Sequence, residues 1–145
     1  MLSVRGEHIQ RTRWRLLGLT AMWTYIAIAI GGAIGCWARY AQGNIVNSLV
    51  GDSFPFGTLS INAIGSLLMG YLYFETQQYV ALSTPLRVGV LTGFLGGYTT
   101  FSTYSLDFLL LAEHGELTRA ILYFIASTLL GFGGVIAGAW VARAL

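Results

Sequence analysis

One stretch of the sequence, residues 93–105, concentrates the side chains that can do chemistry. Two adjacent glycines, Gly96 and Gly97, are followed within eight positions by five Ser or Thr residues. Because glycine costs a helix interior about 1 kcal/mol relative to alanine, this stretch makes a poor uninterrupted helix. Two interpretations stay open. One is a kinked helix whose hydroxyls bond to its own backbone, and the other is a break whose freed carbonyls coordinate a cation.

Two aromatic residues of this stretch, Phe101 and Tyr104, stand three positions apart and therefore share one face of a helix. The edge of an aromatic ring carries partial positive charge, so such a pair can favour a small desolvated anion without trapping it as a full charge would. The alternative is that both rings belong to an apolar core. Their setting beside Ser102 and Thr103 favours the ligand-lining role.

Hydrogen-bond donors elsewhere in the chain extend this predicted path. Asn62 is the only amide side chain deep in an apolar segment, where it must find partners, and an interhelical hydrogen bond is the alternative to an anion-binding role. Tyr123 and Ser127 stand four positions apart on one helix face, and Arg39 is the nearest cation. A path rich in donors and poor in fixed charge suits an anion that sheds water and then leaves.

The elements that must position these residues are four segments without charge. Residues 16–38, 53–74, 88–106 and 120–142 contain no Asp, Glu, Lys or Arg, and a transmembrane helix needs about 20 mostly apolar residues. Charged residues make up 10% of the 145-residue chain, whereas soluble domains carry about 25%. The pattern predicts an all-α membrane protein with four transmembrane helices and both termini on the same side.

Small residues recur four positions apart in the predicted helices, which allows helix backbones to approach closely in lipid. The pairs are Gly31 with Gly35, Ser66 with Gly70, Gly93 with Gly97, Ser127 with Gly131, and Gly134 with Gly138. This spacing predicts tight helix packing and says nothing about transport.

Several functional classes are disfavoured by what the sequence lacks. The single cysteine, Cys36, lies in an apolar run and is predicted to be a buried, inert thiol. The sequence shows no Cys, His and carboxylate set with metal-ligand spacing and no credible Ser/His/Asp arrangement, which weighs against an enzyme. A net charge of +2 without a basic patch in a folded segment weighs against a nucleic-acid partner.

The N-terminus differs in composition from the rest of the chain. Residues 1–15 hold four arginines, and the apolar run that follows continues unbroken through Ile30, which fits a cleaved signal peptide poorly. We interpret residues 1–21 as an Arg-rich extension and residues 22–145 as the four-helix domain, with the first helix starting near Met22.

The segments described above resemble, in order, the Fluc family of small fluoride channels, also called the camphor-resistance family. The resemblance covers nearly the whole chain from Met22 onward. It rests on residues 31–35 with Arg39, residues 57–66 around Asn62, residues 93–105, and Tyr123 with Ser127. The pattern Gly-Gly-x-Thr-Thr-Phe-Ser-Thr-aromatic-Ser within residues 93–105 is the most specific of these blocks.

The resemblance implies an antiparallel, dual-topology homodimer in the bacterial inner membrane that passively exports fluoride from the cytoplasm through two pathways. It also implies that the third helix is broken at its centre. A structural sodium ion would be held there by backbone carbonyls of Gly96 and Thr99 of each subunit. The anion pathway is expected to involve Arg39, Asn62, Phe101, Ser102, Thr103, Tyr104, Tyr123 and Ser127.

Three positions depart from the family pattern. Tyr104 stands where phenylalanine is usual, which adds a hydroxyl near the anion path, and Gly131 leaves no hydroxyl one turn beyond Ser127. Asp107 follows the third block where glutamate is common, and its role stays open.

Other kinds of small membrane protein provide the rival interpretations. A proton-coupled exporter of cationic drugs needs a titratable carboxylate within a span, and the four charge-free segments contain none. A small four-helix transporter of another kind, or a structural membrane protein whose polar residues only join helices, remains the alternative.

Overall fold

The structure is a computed structural model that describes the backbone of residues 2–144 and the side chains of residues 18–144, so the arginine side chains of the predicted extension lie outside the described residues. The elements are α1 (Leu2–Val50), α2 (Phe56–Gln78), α3 (Thr84–Val88), a π-helix (Gly89–Leu95), α4 (Gly96–Tyr98), α5 (Phe101–Glu113) and α6 (Leu117–Ala144). The described part of the chain contains no strand. The elements from α3 to α5 form one third helical segment, so four helical segments follow one another as predicted.

Helix α1 is longer than predicted at both ends. Its backbone begins at Leu2 rather than near Met22, and it continues through Val50, so the polar stretch from Gln42 onward is helix and not loop. The helix ends at Gly51, whose φ of +81° favours glycine and whose N–H donates to the Asn47 carbonyl at 2.8 Å. A helix can continue through polar residues beyond its apolar stretch, and this helix ends where Gly51 adopts a positive φ.

The third helical segment changes its backbone conformation four times. Its first helix, α3, has Ser83 as its N-cap and a proline in its first turn, although the Ser83 side chain makes no capping bond. The π-helix follows, then the single turn of α4, and then two extended residues before α5. The backbone therefore leaves the helical conformation within the Ser- and Thr-rich stretch.

Glycines allow the helices to pack backbone against backbone in two pairs. Helix α1 lies against the π-helix and α4, while α2 lies against α6. A Cβ added at Gly35 would collide with the Phe94 carbonyl, and one added at Gly97 would lie 2.6 Å from the Gly32 carbonyl. In the other pair, a Cβ at Gly138 would collide with the Leu67 carbonyl. The prediction of tight packing from small residues is confirmed at these contacts.

Two helices of the described residues are long and apolar enough to cross a membrane. They are Gly18–Val50 within α1 and Leu117–Ala144. Only 6% and 11% of their most apolar stretches are buried, unlike the core helices of soluble proteins. The two other predicted spans fall short by this measure. Helix α2 has polar residues among its apolar ones, and the third segment is divided into short helices.

Candidate functional site

Two extended residues, Thr99 and Thr100, separate α4 from α5. Their backbone angles are φ −77°, ψ 158° and φ −150°, ψ 122°, far from the α-helical values near −63° and −42°. The Asn62 side chain holds this point from α2. Its Nδ2 donates to the Thr100 carbonyl at 2.9 Å, and its Oδ1 accepts from the Thr100 N–H at 2.8 Å. These two bonds join α2 to the third helical segment, as the alternative interpretation of Asn62, an interhelical hydrogen bond, predicted.

At this point two backbone N–H groups donate to side chains instead of to backbone carbonyls. The two carbonyls that lose these donors are the predicted cation ligands. In a continuous helix the N–H of residue i donates to the carbonyl of residue i−4, so Thr100 would donate to Gly96 and Thr103 to Thr99. Instead the Thr100 N–H donates to Asn62 Oδ1, and the Thr103 N–H donates to Thr100 Oγ1 at 3.2 Å. The carbonyls of Gly96 and Thr99 are thereby released from their helical donors.

The Thr100 hydroxyl caps the first turn of α5. It accepts from the Thr103 N–H, donates to Thr103 Oγ1 at 3.0 Å, and lies 3.3 Å from Ser102 Oγ. Ser102 and Thr103 are exposed, yet their hydroxyls are gathered around Thr100, which is 7% exposed. These hydroxyls therefore take part in the hydrogen bonds of the first turn of α5, as is usual for hydroxyl residues at a helix N-terminus.

A cavity of about 530 Å³, here called the aromatic cavity, lies beside the extended residues. Its walls include Asn62, Thr99, Phe101, Tyr104 and Ser127. The Phe101 and Tyr104 rings lie with centroids 5.7 Å apart and planes inclined at 46°. Phe101 is 80% exposed, so in the single chain it is not a core residue. The predicted pair thus shares a cavity with a polar amide and a hydroxyl.

Ser127 contributes the hydroxyl of this cavity that is free to bind. Within the described part of the chain, Ser127 Oγ and Glu75 Oε2 are the buried side-chain polar atoms without a hydrogen-bond partner. Buried polar atoms are normally paired, and an exception calls for an explanation such as a missing ligand. A hydroxyl aimed at an acceptor anion would resolve the exception at Ser127.

A second and more polar cavity of about 790 Å³, here called the polar cavity, lies toward the loop between α1 and α2. Arg39, Asn44, Thr103 and Asp107 are among its walls. Thr100 lines both cavities, whereas Thr99 lines the aromatic cavity. Of the two extended residues, Thr100 therefore borders both cavities.

Arg39 lies in the polar cavity and is absent from the walls of the aromatic cavity. Its guanidinium is 3.5 Å from Cys36 Sγ, which lines the same cavity. Cys36 is exposed, so the prediction of a buried thiol is wrong. An apolar neighbourhood in the sequence could not distinguish a residue facing the core of the protein from one facing a cavity or lipid.

Tyr123 is absent from the walls of both cavities. It is fully buried, and its hydroxyl donates to Asp107 Oδ2 at 3.2 Å. Its ring meets Phe54 edge-on at 5.6 Å and approaches Tyr104 at 5.3 Å. The donor line from Tyr123 to Ser127 stays a prediction, and within one chain Asp107 is the acceptor for the Tyr123 hydroxyl.

Sequence reasoning assigned no role to two residues of this region. Thr100 lines both cavities and caps α5, and Asp107 is the acceptor for Tyr123. The signal for Thr100 was its place immediately before Phe101, as a hydroxyl residue preceding a helical run. No spacing in the sequence paired Asp107 with Tyr123, because they lie on different helices.

Comparison with known proteins assigns the family. The model of the CrcB-like protein family, camphor resistance (CrcB), matches residues 26–139. The chain belongs to this family. It is accordingly an integral membrane protein, in keeping with its long apolar helices.

The family's relatives match over nearly their whole length. A protein of Acidithiobacillus ferrooxidans named fluoride-specific ion channel FluC is 48% identical over 83% of this chain and 96% of its own length. Proteins of the same name from Geobacter sulfurreducens, and FluC 1 from Nitrobacter hamburgensis, are 44% and 45% identical over 86% and 85% of this chain and 100% and 98% of their own lengths. These relatives are named as ion channels and not as enzymes.

Proposed function

We propose that this CrcB-family protein is a passive, fluoride-selective channel of the bacterial inner membrane that releases fluoride from the cytoplasm. The relatives named as fluoride-specific channels support the ion and the activity. The observation that carries the proposal within this chain is the aromatic cavity, whose walls include two aromatic rings and the unpaired Ser127 hydroxyl.

The chemistry of the two cavities suits an anion that loses its water in steps. Arg39 gives the polar cavity a cation that can meet an anion while it remains hydrated, although three carboxylates, those of Asp52, Asp107 and Glu116, share the wall. In the aromatic cavity the edges of Phe101 and Tyr104 and the hydroxyl of Ser127 replace part of the lost hydration. None of these groups in the aromatic cavity is a full charge, so the anion can also leave.

A second copy of the chain would complete the structure. Phe101 is 80% exposed, and a Cβ added at Gly96 would meet open space. The side of the third segment that carries the predicted sites is therefore uncovered in one chain. We propose that an antiparallel second copy covers it, which gives a homodimer with two pathways.

The freed carbonyls fit a structural sodium ion at the dimer centre. The carbonyl oxygens of Gly96 and Thr99 have lost their helical donors, and carbonyls at the end of a helical turn carry its negative dipole. Hard cations prefer oxygen ligands. The described residues contain no cluster of three His, Cys, Asp or Glu side chains, so neutral oxygens would bind a monovalent ion. The ion would supply a positive charge that holds the carbonyls of two subunits together.

Fluoride selectivity is the first test. Proteoliposomes containing the purified protein are expected to release fluoride rapidly and chloride at the rate of empty liposomes, because the aromatic cavity offers directional donors to a small anion. Ion-selective electrodes for the two anions measure the efflux. Equal efflux of both anions would contradict selectivity, and absence of both would favour the structural membrane protein.

The arginines at the two ends of the structure bear on its orientation. Arg143 lies over the Phe74 ring at 4.2 Å and Arg87 over the Tyr73 ring at 5.5 Å, so both lie at the α2 C-terminus. Arg119 donates to the Ser53 carbonyl at the other end, where the polar cavity also includes Arg39. From Met22 onward, two arginines therefore lie at each end. Residues 1–15 add four to the end that carries the termini.

We expect the chain starting at Met22 to insert in both orientations, because positive charge favours the cytoplasm and its arginines are balanced. The full chain, with four more arginines at one end, is expected to favour a single orientation. A reporter enzyme fused to the C-terminus, active on only one side of the membrane, measures the ratio for both chains. The Met22 chain should also retain fluoride efflux. A one-sided signal from it would point to a partner subunit of opposite orientation.

A further inference from the structure

A line of hydrogen-bonded side chains joins α1 and α2 to Tyr98, the last residue of α4. Only the far end of this line, at Gly57, belongs to a cavity wall. The Tyr98 hydroxyl donates to Gln42 Oε1. Gln42 Nε2 donates to Ser60 Oγ at 3.1 Å, and Ser60 Oγ donates to the Gly57 carbonyl at 2.9 Å. Neither Gln42 nor Tyr98 lines a cavity wall. This line therefore serves something other than direct contact with the anion.

The Tyr98 ring is held so that its hydroxyl has a fixed position. Tyr98 is 6% exposed and stacks on Phe94, with ring centroids 6.1 Å apart and planes inclined at 7°. On the other side it lies against Gly65, where an added Cβ would be 3.2 Å from the ring. A ring packed in this way cannot shift to follow another partner, so the bond to Gln42 ties α1 to the end of α4.

The place of Tyr98 in the chain connects this line to the freed carbonyls. Tyr98 lies between Gly96 and Thr99, so a rotation of its backbone would change the distance between their carbonyls. Asn62 holds Thr100, the residue after Thr99, through two hydrogen bonds. Ser60 and Asn62 stand two residues apart on α2, so this one helix holds Tyr98 through Gln42 and holds Thr100 directly, one on each side of Thr99.

We propose that Gln42 and Tyr98 are positioning residues for the cation site. They hold the backbone between Gly96 and Thr99 so that both carbonyls keep the spacing a sodium ion requires. Both act through the backbone and are not themselves ligands. The inference rests on the sodium site of the proposed function and goes beyond it by naming side chains that tune sodium affinity.

The test measures thermal unfolding of the purified full chain in detergent at increasing sodium chloride, with N-methylglucamine chloride keeping the ionic strength constant. A ligand that binds the folded state raises the unfolding midpoint with concentration. The variants Tyr98→Phe and Gln42→Leu each remove the shared hydrogen bond and are expected to need about three- to tenfold more sodium for half of the stabilisation. The double variant is expected to shift no further than the larger single shift, because the bond is lost only once.

Thr76→Val is the matched control. Its hydroxyl bonds only to the carbonyls of its own helix at Leu72 and Tyr73, so its sodium dependence should equal that of the native chain. If Tyr98→Phe and Gln42→Leu lower the midpoint equally at every sodium concentration, their role is structural and the inference is wrong. A native chain that sodium does not stabilise also overturns it. Fluoride efflux is measured separately, so a chain that responds to sodium but does not conduct would refute the proposed function alone.

Discussion

The variant Phe101→Ile is expected to lose fluoride efflux while it still folds and dimerises. Phe101 forms one wall of the aromatic cavity, with its ring 5.7 Å from that of Tyr104. Isoleucine retains an apolar side chain but has no ring edge, so the electrostatic replacement for lost hydration disappears. A loss of about 3 kcal/mol in anion stabilisation corresponds to a reduction of roughly 100-fold or more. Electrode recordings of efflux from proteoliposomes measure the effect.

The folded state should tolerate this substitution. Phe101 is 80% exposed within one chain, so the fold of that chain should change in stability by about 0.5 kcal/mol or less. Isoleucine keeps a large apolar side chain on the face that the proposed second copy covers, so the contact between subunits should persist. Gel filtration in detergent is expected to give the same dimer peak for Phe101→Ile and the native protein. A monomer peak would mean that the ring acts in subunit contact instead of ion passage.

Two companion variants sharpen the result. Tyr104→Phe keeps the ring and removes only the hydroxyl, so it should conduct fluoride at a changed rate but not at zero. Phe56→Ile makes the same chemical change as Phe101→Ile at a half-exposed residue of the first turn of α2, outside the walls of both cavities. It should conduct as the native chain does. Normal efflux from Phe101→Ile would show that its ring only packs.

The succession of four helical segments could be predicted because charge and lipid are incompatible over a full span. The absence of charge from four long segments placed all the main helices. The glycine spacing was equally informative, since a residue without a Cβ four positions from another leaves a groove that a second backbone can fill. The contacts of Gly35 with Phe94 and of Gly138 with Leu67 are of this kind.

Helix ends and cavity walls could not be predicted in the same way. The polar residues after Gln42 were compatible with both a loop and an exposed helix, and the decision lay with Gly51. The exposure of Cys36 and the π-helical backbone of the third segment both depend on which neighbouring element each helix face contacts. A single sequence without its partners in space does not contain that information.

In the candidate site, too, some features could be predicted from the sequence and others could not. The composition of residues 93–105 indicated a weak helix with free polar groups, but not which side chain would hold it. Asn62 was assigned donor capacity on the path, and the structure adds that its amide also exchanges two hydrogen bonds with Thr100. Tyr123 was assigned a donor on the path, and in one chain its hydroxyl donates to Asp107. Both differences arise from contacts between helices that are distant in sequence.

These contacts separate Asn62 from Phe101 in what their variants should do. Asn62→Ala is expected to lower both stability and fluoride efflux. It leaves the Thr100 N–H and carbonyl without partners at a residue that is 7% exposed. Each orphaned buried group costs about 1–3 kcal/mol, so the free energy of unfolding should fall by about 2–6 kcal/mol for the two groups together. Water cannot offer replacement bonds readily at membrane depth.

The expected loss of efflux follows from the backbone and not from a missing anion contact. Without Asn62, the two hydrogen bonds that hold Thr100 in its extended conformation are lost, and its unpaired N–H and carbonyl favour a shift of this backbone. Such a shift changes the wall that Thr100 gives to both cavities and the spacing of the Gly96 and Thr99 carbonyls. The thermal unfolding midpoint and fluoride efflux of the same preparation are measured together. The two should fall in parallel in Asn62→Ala, whereas in Phe101→Ile only efflux should fall.

Asn44→Ala is the matched control, because Asn44 is an exposed asparagine of the polar cavity wall on α1. It should unfold at the native temperature. The more conservative variant Asn62→Asp keeps an oxygen that accepts from Thr100 N–H but sets a second oxygen against the Thr100 carbonyl. It should therefore be no more stable than Asn62→Ala. An Asn62→Ala protein that unfolds at the native temperature but conducts no fluoride would assign Asn62 to the anion instead, and the two hydrogen bonds to Thr100 would then not be what keeps the helix open.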